Sequence, residues 1–215
     1  MPSVFLDNDI AAKAAAYNLL GELAEALSVG FGEIGLLGSL LFVISPKRLR
    51  SAADGQEAAH QRLSTFVGQA VTLEPDPDET LLAVKLEELA LKNNVQLDIG
   101  ESQLCAMAIE RAAERLCTGD KRAVVAIERL YPLAPEFAAL AGKIEFLEAI
   151  IRSMNMHFGH DHIRGRVCAS PGTDTAIEIC FQCHNSKADE SETERGLSSY
   201  IRAMIKRAPT VCAAR

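Results

Sequence analysis

Hydrophobic and polar positions alternate in short blocks along this 215-residue chain, and the blocks read in turn as strands and helices. Val4-Phe5-Leu6 is an apolar run closed by Asp7, as expected of a short buried strand. From Ile10 to Leu27, Ala, Leu and Glu recur at helical spacing, with Tyr17, Leu20, Leu23 and Ala24 on one side, and Gly30 and Gly32 end this helix. Glu33 to Leu37 reads either as a second strand or as the opening of a buried helix continuing to Ile44, and periodicity does not choose between them. Residues 55–69 carry a helical pattern and Val71-Thr72-Leu73 a short strand. Glu74-Pro75-Asp76-Pro77-Asp78-Glu79 is a turn opening a helix to about Lys92, with acids in the first turn, where the helix dipole favours them. Val95-Gln96-Leu97 leads into Asp98, a helix follows from Gly100 to Glu114, and Leu116-Cys117-Thr118 is the next strand. Lys121 to Leu130 is helical. Pro132 and Pro135 mark a linker, Lys143-Ile144-Glu145 a further strand, and Phe146 to Met156 a further helix. From His157 the pattern weakens, residues 185–194 read as a polar loop, and residues 195–208 as a last helix. The alternation predicts an α/β fold with a parallel or mixed sheet.

Composition adds limits. Hydrophobic residues make up 48% of the chain and there is no Trp, so a sizeable core forms from aliphatic side chains. The formal net charge is −7, and residues 1–100 carry 7 Lys/Arg against 14 Asp/Glu. A protein that grips nucleic acid by charge alone is basic, so any such contact here needs a local patch and a cation at the acidic positions. The apolar run from Ile34 to Ile44 is too short to span a bilayer. The N-terminus lacks a basic region followed by an apolar stretch. A soluble cytoplasmic protein without membrane contact is expected, with its six cysteines as thiols.

Three acidic stretches stand where a strand-like run gives way to a helix-like pattern: Leu6-Asp7-Asn8-Asp9, Asp98-Ile99-Gly100-Glu101 and Thr118-Gly119-Asp120. In open α/β sheets ligands bind beyond the carboxyl ends of the strands, and converging carboxylates repel unless a hard cation lies between them. Capping explains each acid singly: Asp9 before Ile10, Asp98 in a capping box with Glu101, and Asp120 before Lys121. Two features go further. Glu101 shares a helical face with Leu104, Cys105, Ala108 and Ala112, so its carboxylate points toward the fold and needs a partner. Asp7 comes directly off the first strand, where Asn8 or Asp9 is the more natural cap.

The order and spacing of Val4-Phe5-Leu6-Asp7-Asn8-Asp9, Asp98-Ile99-Gly100-Glu101 and Leu116-Cys117-Thr118-Gly119-Asp120-Lys121-Arg122-Ala123 resemble the PIN-domain nucleases, over roughly residues 1 to 150. The resemblance implies a three-layer α/β/α fold with a central parallel sheet over residues 1–150, and a mostly helical C-terminal extension over 151–215 packed on it. It implies a metal-dependent endoribonuclease, of the kind that often serves as the toxin of a toxin–antitoxin pair. RNA would be its substrate, Mg2+ or Mn2+ its cofactor, and a protein inhibitor or antitoxin and a second copy of the chain its partners. Asp7, Glu101 and Asp120 match the catalytic acids, and with Asp9 they are the metal ligands. Thr118 shapes the turn, and it joins Lys121, Arg122, Lys47 and Arg48 as candidates for substrate contact. One position departs from the pattern: the family places an acid near residue 40, where this chain has Gly38-Ser39-Leu40-Leu41, with Glu33 the only acid nearby. A PIN-like module that binds RNA or protein without cutting is therefore the alternative.

Near the C-terminus, Cys180-Phe181-Gln182-Cys183-His184 matches the haem-attachment spacing C-x-x-C-H. The better rival is zinc, since His157, His160, His162, Cys168, Cys180, Cys183 and His184 fall close together and four of them would make a tetrahedral site. No paired C-x-x-C knuckle accompanies them, and buried thiols are ordinary core residues.

Overall fold

The structure is a computed structural model and describes residues 1–44, 49–185 and 188–213. Lys47 and Arg48 lie outside the described residues.

Five short apolar runs form one sheet, and all pair in parallel in the order β3-β2-β1-β4-β5. They are β1 (Val4–Leu6), β2 (Ile34–Leu37), β3 (Val71–Leu73), β4 (Arg115–Thr118) and β5 (Ile144–Phe146). Each is three or four residues long; β1 and β2, buried throughout, need no polar alternation, whereas β3 at the sheet edge leaves Thr72 exposed. Side chains of period two divide the sheet between two cores. Val4, Leu6, Ile34, Leu36 and Cys117 enter one apolar cluster, and Phe5, Leu37, Leu73, Leu116, Ile144 and Phe146 enter the other.

Helices cover both faces, giving a three-layer α/β/α arrangement. The first cluster is closed by α1 (Asn8–Tyr17), α2 (Leu20–Ala26), α4 (Gln56–Gln69), α8 (Leu147–Phe158), α9 (His160–Ala169) and α10 (Thr175–Cys180), with the short α3 (Leu40–Val43) adding Leu40. The second is closed by α5 (Pro77–Lys92), α6 (Ile99–Glu110) and α7 (Lys121–Leu130). Helix α11 (Glu190–Arg207) joins the two, with Leu197 in the first cluster and Ile201 and Met204 in the second. Beyond it Cys212 makes a parallel bridge to Ile144 at the β5 edge. The helices after residue 150 thus pack into the same two cores as those before it, and residue 150 itself lies inside α8. Among the described residues no helix is long and apolar enough to cross a membrane.

Several elements differ from the sequence expectation. The helix expected from Ile10 to Leu27 is two, broken at Asn18 (φ 56°), whose amide donates back to the α1 carbonyls; asparagine tolerates this left-handed conformation better than most residues. Residues 33–44 resolve as strand β2 followed by α3. Helix α6 stops at Glu110 rather than Glu114, because Ala112 (φ 51°) turns the chain into β4. The weak pattern after His157 conceals α9 and α10, and α11 begins at Glu190, inside the expected polar loop.

The cysteines are not all thiols. Cys168 at the end of α9 and Cys183 just after α10 have Cα atoms 5.0 Å apart and form a disulfide, a separation within the range such bonds need. Cys105, Cys117, Cys180 and Cys212 lie outside this disulfide and are buried. With Cys183 bonded and Cys180 in the core, the weaker zinc alternative finds no site: among the described residues no three His, Cys, Asp or Glu side chains are grouped to hold a metal. The bond closes a loop of sequence separation 15. Restricting such a loop in the unfolded chain contributes about 3 kcal/mol. The Cys168→Ser/Cys183→Ser double variant should therefore lose roughly that stability in urea denaturation, and an unchanged midpoint would show that the bond contributes nothing.

Candidate functional site

The strand order changes direction at β1, whose neighbours β2 and β4 lead outward on opposite sides. A crevice opens at such a switch point beyond the carboxyl ends of the strands. Asp7 follows β1 directly and Asp120 follows β4 by one residue, so the topology brings the two acids together across 112 intervening positions. The pocket there has a volume of about 870 Å³ and is lined by Asp7, Asn8, Asp9, Asp98, Glu101 and Asp120, with Arg122 at its edge. The three acidic stretches thus face one space.

Asp7 stands at the N-cap of α1, yet its side chain makes no cap hydrogen bond. Its backbone carbonyl accepts from Ala11 (3.2 Å), while its carboxylate turns across to β4 and accepts long bonds from the Thr118 hydroxyl and the Gly119 amide, both 3.4 Å. Burial, and then the Asp9 charge, push its carboxyl above the ordinary aspartate value, against the weaker pull of these donors and the Asp9 amide. Thr118 is 5% exposed, and its Oγ1 also accepts from the Asp120 amide at 3.1 Å. Its hydroxyl thus ties Asp7 to the turn that carries Asp120 and shapes that turn.

Gly119 contributes in a different way. A Cβ there would press on the carboxylate of Asp9, whose Cγ would be 3.3 Å away. Gly119 is the opening that lets Asp9 lie against the β4–α7 turn.

Glu101 and Asp98 form the capping box the sequence suggests. Glu101 N donates to Asp98 Oδ1 and Asp98 N donates to Glu101 Oε2, each at 2.9 Å. Capping does not settle the charge of Glu101. Burial raises its carboxyl to about 8, with added repulsion from Asp98, Asp120 and Asp7 and only the Asp98 amide pulling it down. Repulsion from Asp7 and Asp120 places Glu101 within electrostatic reach of both.

The remaining acids already hold cations. Asp120 caps α7 through Arg122 N (2.7 Å) and pairs with the Arg122 guanidinium (Nη2–Oδ2 2.6 Å). Burial lifts Asp120, but Arg122 more than offsets this and leaves it below the usual value. Asp9 pairs with Lys13 one helical turn on (2.6 Å), and the same ammonium reaches Asp174 at 2.7 Å. The acids therefore surround one pocket without forming a gathered metal cage among the described residues. The donors are all oxygen, the kind a hard divalent cation takes. Asn8 Oδ1, in the same pocket, is buried with no hydrogen-bond partner.

Arg122 is placed as the sequence suggests, exposed at the pocket edge. Lys121 is not. It turns to the opposite side, pairs with the buried Glu148 of α8 and lies 5.1 Å from the Tyr200 ring centroid. A buried carboxylate without a partner is costly, and that demand outweighs a phosphate-facing position.

Asn8, Lys13, Gly119 and Asp174 belong to the site's surroundings although the sequence did not single them out. The Asp9–Lys13 spacing of four is a legible helical ion pair. Asp174 is not legible, since it arrives from the N-cap of α10 by tertiary packing alone. Burial disfavours the Lys13 charge, but Asp9 and Asp174 together raise its pKa. Replacing it with Met leaves two half-buried carboxylates facing each other. Lys13→Met should cost about 3 kcal/mol, and Lys13→Met/Asp174→Asn should recover part of it. A Tm for Lys13→Met equal to that of the parent would contradict the pairing.

No family model matches the chain, and neither the curated proteins nor the solved structures yield a match.

Proposed function

We propose that the protein is a PIN-like, metal-dependent endoribonuclease of the cytoplasm, with Asp7, Glu101 and Asp120 holding Mg2+ or Mn2+ and Asp9 and Asn8 at the margin. The observation that carries this reading is the orientation of Asp7. A carboxylate at a helix N-cap normally caps, and this one instead turns into a pocket rimmed by Glu101 and Asp120. Burial first, then Asp9 for Asp7 and Asp98, Asp120 and Asp7 for Glu101, holds the two carboxyls toward their neutral forms, and a divalent cation would relieve both costs at once. Such an ion, when bound, polarises the phosphodiester and lowers the pKa of an attacking water. The chain's own residues do the rest. Thr118 holds Asp7 against the β4–α7 turn and Gly119 admits Asp9, while Arg122, now paired with Asp120, would be available to a phosphate if Asp120 held an ion instead. A protein inhibitor that covers the pocket, as an antitoxin would, and a homodimer are compatible extensions of this reading.

One observation favours the alternative of a PIN-like module that binds RNA or a protein without cutting. Asp9 and Asp120 are engaged by Lys13 and Arg122, and the acid expected near residue 40 is absent. Labelled RNA incubated with Mn2+ separates the two readings. Cleavage that disappears in both Asp7→Asn and Asp120→Asn supports the enzyme. Binding without cleavage, unchanged by either substitution, supports the module.

A further inference from the structure

The acidic pocket does not end at Arg122. A second depression of about 420 Å³ shares Asp98, Glu101, Asp120 and Arg122 with it and continues to Leu91, Val95 and Gln96. A third, of about 510 Å³, takes up Leu91, Val95, Gln96 and Arg122 again and adds Arg129 and Arg207. The three form one continuous groove, with Arg122 lining every section.

Charge reverses along it. The first section is rimmed by carboxylates, whereas the third has three arginines and no acid, in a chain of net charge −7. Arg122 and Arg129 are seven residues apart on α7, two turns along one face and about 10 Å in rise. Val125 and Ala126 stand between them. Arg207 comes from the last turn of α11. Arg129 and Arg207 are exposed, and among the described residues neither makes an ion pair or a side-chain hydrogen bond. Unpaired arginines converging on a groove are suited to phosphate. Leu91 is 79% exposed and lies between them and the acids.

We infer that this groove is the track of a single-stranded nucleic acid. Arg122, Arg129 and Arg207 hold successive phosphates, and Leu91 and Val95 touch base faces, so that the strand is led into the carboxylate pocket. The inference rests on the nuclease reading for its direction, though not for its binding surface. An unpaired strand exposes base faces to apolar side chains, whereas a duplex hides them. Among the described residues no aromatic side chain lines the groove, so stacking contributes little, and binding should be tolerant of sequence and strongly dependent on salt.

The test is fluorescence anisotropy with a short labelled single-stranded RNA in EDTA, over a salt series, on the full chain and on Arg129→Gln/Arg207→Gln. With metal chelated, Arg122 stays on Asp120, so the two phosphate contacts of Arg129 and Arg207 give a log K against log salt slope of about −1.4, and removing both should bring it close to zero and weaken binding about tenfold at low salt. Arg129→Lys/Arg207→Lys keeps both charges and should stay near the parent, which guards against a folding artefact. An unchanged slope in the Gln variant, or equal affinity for duplex RNA, overturns the track. Cleavage assays with Mn2+ separate this from the wider reading. Parent cleavage with an unaltered Gln variant leaves the nuclease standing without the track, and a reduced slope without any cleavage leaves the track standing without the nuclease.

Discussion

Asp7→Asn is expected to abolish metal-dependent RNA cleavage, by about a hundredfold or more, while leaving the fold at least as stable as the parent. The two halves follow from one environment. Asp7 is half-buried beside Asp9, and burial and that neighbour make its charged form unfavourable. Asparagine has the same shape, and its amide oxygen still accepts from Thr118 and Gly119, so removing the charge costs the metal-free protein nothing. The activity loss reflects the missing anionic ligand. Initial rates with Mn2+ and a thermal melt, on the same preparation, check both. A variant that keeps the parent rate would remove Asp7 from the chemistry. One that loses rate only because it unfolds would make Asp7 a structural residue.

Stability without divalent metal should fall as pH rises from about 4.5 to about 8, and Mg2+ or Mn2+ should restore it most strongly at the upper end. The direction is set by Glu101. Its folded-state carboxyl is raised from 4.5 to about 8, by burial first and then by Asp98, Asp120 and Asp7. The folded state therefore binds the extra proton between these values, so its contribution is complete below 4.5 and disappears as pH climbs through 8. Asp7, also raised, acts in the same direction; Asp120, which is lowered, acts in the opposite one at lower pH. A cation that replaces the proton binds more tightly as pH rises. Glu101→Gln should flatten the metal-free profile above pH 4.5 and weaken the metal-induced rise in Tm. A parent profile that is flat between pH 5 and 8 would mean that Glu101 is solvated and ordinary.

Much of this architecture is written in local sequence, and the gaps have physical causes. The runs Val4–Leu6 and Leu116–Thr118 are legible because a short strand buried on both faces is largely apolar, and Val71–Leu73, an edge strand with Thr72 exposed, through its β-branched residues. Helix α4 announces itself through its period, α5 and α7 through period and caps, and the box at Asp98 and Glu101 is formed as its spacing suggests. The break at Asn18 is not legible, because no glycine or proline marks it and only packing of α2 against α8 requires the chain to turn there. Helices α9 and α10 are short, and their stability comes from contact with α1, α8 and α11, and from the Cys168–Cys183 bond, rather than from their own pattern. The same holds within the site. The acids are visible because each follows a strand, while the cations engaging them divide into the legible (Lys13, four residues from Asp9) and the illegible. Lys121 looks equivalent to Arg122 in sequence, yet buried Glu148, on a helix 27 residues away, draws it to the other side of α7.

The convergence of Asp7, Glu101 and Asp120 on a divalent ion is decided most directly by anomalous scattering from a crystal soaked in Mn2+. The expected result is one strong peak in the pocket beyond β1 and β4, with an Asp7 oxygen and at least one oxygen of Glu101 or Asp120 at about 2.1 Å. It should be accompanied by movement of the Arg122 guanidinium away from Asp120. An empty pocket at saturating Mn2+, with Arg122 and Lys13 still seated on Asp120 and Asp9, would contradict it.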